Sequence, residues 1–251
     1  MMRAGRPGLG PCRKGLRVSG HIGIAGVSPE GAALFCQALT RQLALTARTG
    51  VDPKAWPRVT MHNEPFGLYL DALRERDWMR VGALLRRSAD KLAGCGADFC
   101  LTPDNAVQHG IHVAEVGSPI PWLSMPELVA DALVSAGCRT VGIIGTKMVT
   151  TGSTYQTMLG LRGVQLLVPE GSEIDELDRI IFEELIYGTR RPESQKRAVR
   201  IVEQFAGRGC DGVILGCSEA PLVITPDNSP IALFDAAEIL AAGAVARALA
   251  G

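Results

Sequence analysis

Two short turns, set 113 residues apart (217 minus 104), carry the groups best suited to chemistry in this 251-residue chain. LTPDNAVQHG, residues 101–110, places Asp104 where an apolar run gives way to a polar turn that opens a helix. LGCSEAP, residues 215–221, has the same outline and places Cys217 at the matching point. A carboxyl and a thiol can each take up and release a proton. Set on opposite sides of one carbon, they would remove a proton from one face and return one to the other.

Two roles are open to Asp104. As an Asx-type cap it would accept hydrogen bonds from the N–H groups of its own turn, which lowers its pKa and makes it a poor base. Partly desolvated, its pKa would rise and it could act as the acid facing the thiol. Cys217 follows a strand and is expected to precede a helix, whose free N–H groups would favour a thiolate. Asn105 and Ser218, paired at the same offset, are expected to hold a substrate carboxylate. Glu219 either orients Cys217 or starts a helix. An ionised Asp104 would repel an anionic ligand group by several kcal/mol, to order of magnitude, at an effective ε near 20. Three resolutions stay open: Asp104 is protonated at work, the ligand is less anionic, or Asp104 meets a cationic group on it.

The elements that must position these groups repeat. HIGIAG (21–26) reads as a buried strand, and Ser28-Pro29-Glu30 starts a helix with a capping Ser and Pro at its first position. RVTMHN, the helical spacing of DALRERDWMRVGALLRRSADKLA and the run ADFCLTP complete a strand–helix series. TVGIIGT, STYQTML, VQLLVP, two further helical stretches and GVILGCSE repeat the order. At the 113-residue offset Gly94, Gly96, Asp98 and Asp104 fall on Gly207, Gly209, Asp211 and Cys217. The expected fold is α/β: two pseudo-symmetric lobes, each a mainly parallel sheet flanked by helices, with the active site in the cleft between them. Residues 1–17 are expected to form a disordered extension. Residues 18–122 with 228–251 are expected to form one lobe, and 123–227 the other.

Composition narrows the function classes. Lys+Arg 26 balances Asp+Glu 26, so the broad basic footprint of a nucleic-acid binder is missing. No run approaches the roughly 18 apolar residues that span a membrane. The basic, Gly- and Pro-rich N-terminus lacks the apolar core of a secretory signal, so a cytoplasmic protein is expected. The seven cysteines form no CxxC pair and no His lies at zinc-ligand spacing, so neither a disulfide framework nor a metal is expected. His62, His109 and His112 have no ligand spacing, and His21 begins a buried strand. GIIGT and HIGIAG lack the full G-x-G-x-x-G of a dinucleotide site. Lys147 and Arg58 could meet a distal carboxylate, although ordinary solvated positions explain them as well.

Taken in order, the segments resemble the aspartate/glutamate racemase family of cofactor-independent enzymes. LGCSEAPLVI is similar to its GCTE-P signature, and HIGIAGVSPEGA to its IGIIGGMSPEA-type start. GIIGTKMVTTGSTY is similar to its GT-x-x-T…Y segment, IIFEELIYG to its iIy-x-EL-x-G stretch, and FDAAEILAAGAVARAL to its closing D-(S/T)-T-x-x-H-A helix. The likeness runs from about residue 18 to the end of the chain. Asp104 stands where the family's first cysteine would be, with Ala106 for Thr, Gln108 for His and Leu240 for the His of the closing helix. PDNAVQ nevertheless resembles the PDNT-x-H form of one branch.

The resemblance implies two lobes, frequent homodimers, no cofactor and an amino-acid or other small carboxylate substrate. It implies an isomerase that abstracts and returns an α-proton, with Cys217 and Asp104 as the pair. Thr146, with Thr150 or Thr151, resembles the family's second anion-contacting segment; routine turn capping is the other reading. Two alternatives are a same-fold decarboxylase or isomerase that needs only Cys217, and a catalytically silent binding protein.

Overall fold

A computed structural model describes residues 20–250, and the extension expected over 1–17 lies outside the described residues. The first half runs β1 (His21–Gly26), α1 (Pro29–Arg48), β2 (Arg58–Asn63), α2 (Phe66–Arg74), α3 (Trp78–Gly94), β3 (Phe99–Leu101) and α4 (Gln108–Glu115). The second runs α5 (Met125–Ser135), β4 (Thr140–Ile144), α6 (Lys147–Thr150), α7 (Ser153–Gly160), β5 (Gln165–Leu167), α8 (Ser172–Glu183), α9 (Pro192–Gly207) and β6 (Gly212–Leu215). β7 (Ala232–Asp235) and α10 (Ala236–Ala250) close the chain.

Every strand pair is parallel. One sheet has the order β2-β1-β3, and the other repeats it as β5-β4-β6 with β7 added at the edge. The repetition extends to single residues. Gly96 and Gly209 both take left-handed backbone, at φ 82° and 79°, a conformation that favours a residue without Cβ. Two residues on, Asp98 accepts the His21 N–H at 2.6 Å, and Asp211 accepts the N–H groups of Arg139 and Thr140 at 2.7 and 3.0 Å. Each aspartate thus ties a strand start to its neighbour.

The segment 228–251, expected to return to the first lobe, is divided. β7 pairs with β6 in register from Gly212–Ala232 to Leu215–Asp235 and so belongs to the second sheet. α10 packs against α1 and α5. A short parallel strand carries no local sign of its partner; the free edge of β6 decides it. Between the sheets, Phe35 and Leu39 of α1, Val129 and Leu133 of α5, and Leu240 and Val245 of α10 share one core with Ile24 and Ile143. Leu240 is fully buried there, which contributes about 1.5–3 kcal/mol. The lobes are joined behind the cleft by this layer.

The helical run from Asp71 to Ala93 is two helices. Asp77 accepts the Arg80 N–H at 2.9 Å and caps α3. Ahead of it the N–H of Asp77 bonds the carbonyl of Ala72 and that of Arg76 bonds Leu73, a Schellman closure of α2. Arg76 takes the left-handed position, at φ 53°, that glycine usually fills.

Candidate active site

Four loops at the carboxyl ends of parallel strands converge, as ligand sites do in open α/β sheets. β1 leads to Ser28, β3 to Asp104, β4 to Thr146 and β6 to Cys217. Together with Asn105, Ser218 and Glu219, these residues line an inner cavity of about 40 Å³.

Asp104 does not cap its own turn. Its carboxyl reaches across to the first turn of α1 and accepts the Ser28 N–H at 3.2 Å. Gln108, in the place of the family's His, fastens the turn from behind by donating Nε2 to the carbonyls of Thr102 and Asp104 at 3.2 and 3.1 Å. Burial, and next the nearby charge of Glu219, push the Asp104 carboxyl up to about 7; N–H groups of Ser28 and Val27 oppose the shift.

Cys217 departs from expectation. No α-helix follows it, only a 3₁₀ turn at Ala220–Leu222. Burial, and then the Glu219 carboxylate, push its thiol well above the ordinary cysteine value. Its Sγ donates to Glu219 Oε2 at 2.8 Å, so the resting group is a neutral thiol with an acceptor for its proton. Glu219 is buried, and its other oxygen accepts the Ser28 hydroxyl at 3.3 Å. Glu219 thus orients Cys217 and starts no α-helix.

Ser28 joins the two sides. Its N–H serves Asp104, its hydroxyl donates to Glu219, and the same oxygen accepts the Gly31 N–H at 3.0 Å to cap α1. A Cβ on Gly31 would lie 2.5 Å from Ser28 Oγ and 3.3 Å from Glu219 Oε1, so this approach requires glycine. From the sequence Ser28 is legible only as a cap. Its link to both reactive turns comes from the tertiary fold.

The expected substrate contacts separate. Asn105 is buried and lines the inner cavity. Its Oδ1 accepts the Tyr155 hydroxyl at 2.5 Å while Nδ2 has no protein partner. Tyr155 stands in the quoted GT…Y segment, yet its part in aiming this amide was not legible there. Ser218 donates its hydroxyl proton to the Pro103 carbonyl at 3.2 Å, lacing one turn to the other. Thr146 lines the inner cavity and caps α6 through the Val149 N–H. Thr150 directs its hydroxyl to the carbonyls of Thr146 and Lys147 and lines neither cavity. Thr151 is exposed, donates to the Lys147 carbonyl at 2.7 Å, and lines a second, outer chamber. Lys147 also lines that chamber and pairs with Asp175 at 2.6 Å, whereas Arg58 is exposed on β2, away from both. His21 is held by Gly96 and Thr60 and His62 by Ser88.

The family model for Asp/Glu/Hydantoin racemase matches residues 24–244. The fold is similar to a candidate Asp/Glu racemase from Yersinia pestis, at 22% identity and TM-score 0.81 over 92% of this chain and 99% of that one. An aspartate racemase homologue from Pyrococcus horikoshii matches at 27% identity and TM-score 0.75, over 91% and 98%. A glutamate racemase from Francisella tularensis, solved with D-glutamate, matches at 14% identity and TM-score 0.62, over 89% and 78%. Among the described residues no helix is long and apolar enough to cross a membrane. With a family match over most of its length, the chain belongs to the Asp/Glu/hydantoin racemase family.

Proposed function

We propose that the protein is a cofactor-independent amino-acid racemase or epimerase, acting on an acidic or polar amino acid by α-proton transfer between Cys217 and Asp104. The observation that carries this reading is one buried cavity with a proton-bearing group from each sheet on its wall, Asp104 after β3 and Cys217 after β6.

In one direction Glu219 takes the Cys217 proton, and the thiolate removes the substrate α-proton. Protonated Asp104 returns a proton to the opposite face. In the other direction Asp104, as carboxylate, abstracts, and the Cys217 thiol donates. A carboxyl near 7 suits both roles at neutral pH, because each protonation state is populated. Its neutral form also removes the repulsion with an anionic substrate. In this reading Asn105 Nδ2, which has no protein partner, donates to the substrate carboxylate, where the developing enolate charge is stabilised by fixed donors.

The same reading includes a homodimeric assembly, checked by sedimentation. The activity is tested by following the α-¹H signal of each enantiomer of an amino-acid panel in D₂O. Exchange with inversion supports it. Absence of exchange across the panel refutes it. A neutral thiol poised to donate also favours a second reading, protonation of a carbanion formed by loss of CO₂. A single-enantiomer product from a disubstituted malonate would support that chemistry.

A further inference from the structure

The inner cavity, at about 40 Å³, has room for a few water-sized groups. That accommodates the reacting carbon and its nearest substituents, but not a whole amino acid. Beyond it opens the outer chamber, of about 750 Å³, a size that elsewhere holds drug-sized ligands. Leu70, Leu73, Asn105, Ala106, Phe182 and Ile186 line both, so the two adjoin along these side chains. A four- or five-carbon diacid would leave most of it unfilled.

The walls of the outer chamber are of two kinds. Near the inner cavity they are apolar, with Leu70, Phe182 and Ile186. Farther out stand Trp78, packed edge-on against His109 at 4.9 Å, and Tyr187, which is 72% exposed although it is a large aromatic. An aromatic left open beside a hollow is a surface for a flat or apolar ligand group.

Three cations share the chamber with one carboxylate, Asp178, which accepts the Lys147 N–H at 2.7 Å. Lys147 is paired with Asp175, and Arg74 with Asp71 at 3.8 Å. Arg76 has no ion pair among the described residues. It is exposed on the chamber wall, in the left-handed position where a residue with Cβ is disfavoured. Glycine would fit that turn better, so the guanidinium stands there at a local backbone cost.

We propose that the outer chamber binds the side chain of the substrate, and that this side chain has an apolar or aromatic body ending in a carboxylate that meets Arg76. The α-carbon chemistry rests on the racemase reading above; the occupancy of the chamber does not. Arg76 is then the residue that sets specificity, selecting an extended acidic amino acid over aspartate and glutamate.

The test separates the two readings by measuring binding without turnover. Cys217→Ala protein is titrated calorimetrically with 4-carboxyphenylalanine, phenylalanine and glutamate, then again with Arg76→Gly added. Glycine suits the turn, so the second variant folds, and its thermal midpoint verifies this. The expected result is 4-carboxyphenylalanine bound at least about tenfold more tightly than either comparison, the worth of one charge-assisted contact, with that margin lost in Arg76→Gly. Equal binding, or tighter binding of glutamate, overturns the proposal whatever the exchange assay shows. A margin that survives Arg76→Gly overturns the assignment of Arg76. If wild type exchanges no α-proton while the binding margin is present, the chamber assignment stands and the racemase reading falls.

Discussion

Cys217 Sγ donates to Glu219 Oε2 across 2.8 Å on the wall of the inner cavity, and burial, then the charge of that carboxylate, raises the thiol's pKa. On the proposed mechanism the thiol needs Glu219 as its base in order to act as one. Glu219→Gln should lower turnover by about 10²- to 10⁴-fold, the usual worth of a positioned acid–base group. The same change removes a negative neighbour, so the thiol pKa should fall. Alkylation of Cys217, followed by peptide mass spectrometry, should become faster at fixed pH while catalysis becomes slower. Parallel loss of both would mean that the site had simply come apart.

Asp104 has a raised folded-state pKa, about 7 against an ordinary 3.8. A carboxyl raised in this way binds its proton more tightly when folded. Its contribution to stability is full below the unfolded value and is lost as pH rises through about 7. Asp104→Asn removes that titration. The thermal midpoint of the variant relative to wild type should therefore rise between pH 4 and 8. Asp235, raised to about 6, has the same sign and is common to both proteins. A pH-independent difference would place the Asp104 pKa back in the ordinary range.

Tyr155 holds the Oδ1 of Asn105 and so aims its unpartnered Nδ2. Tyr155→Phe should raise KM about tenfold, the worth of one donor to a charged group, with a smaller change in kcat. Asn105→Ala should have a similar effect. The double variant should then be no worse than the more severe single one, since both changes remove the same contact. Steady-state kinetics of the four proteins decides it.

Gly31→Ala should damage the site more than the fold. Alanine is the better helix former by about 1 kcal/mol, yet its Cβ would press on Ser28 Oγ and lie 3.2 Å from Ser218 Oγ. A fall in kcat/KM of about tenfold or more, with the denaturation midpoint nearly unchanged, is the expected outcome. Matched falls in activity and stability would assign the glycine to folding alone.

The alternation of strands and helices was legible because buried strands, helical spacing and Ser-Pro punctuation are local signals. The duplicated turns were legible because glycine and aspartate recur at one offset. What escaped depended on distance in sequence. β7 is four residues long, and only the free edge of β6 determines its sheet. The thiol was expected to be favoured as a thiolate by a helix that the chain does not form. Its real environment depends on Glu219 folding back and on burial by both lobes. The outer chamber draws its wall from the α2–α3 turn, α6, α7 and the 3₁₀ turn at Leu185–Tyr187. No single stretch of sequence displays it.

The most direct test of opposed proton transfer is stereospecific exchange in two single-site variants. Asp104→Asn and Cys217→Ser are incubated in D₂O with each enantiomer of a substrate that wild type racemises, and α-proton loss and inversion are followed separately. Both variants should lose racemisation by about 100-fold or more, each should retain exchange with one enantiomer only, and the two should retain opposite ones. Racemisation surviving in Asp104→Asn, or exchange confined to the same enantiomer in both, would contradict the placement of Cys217 and Asp104 on opposite faces of the α-carbon.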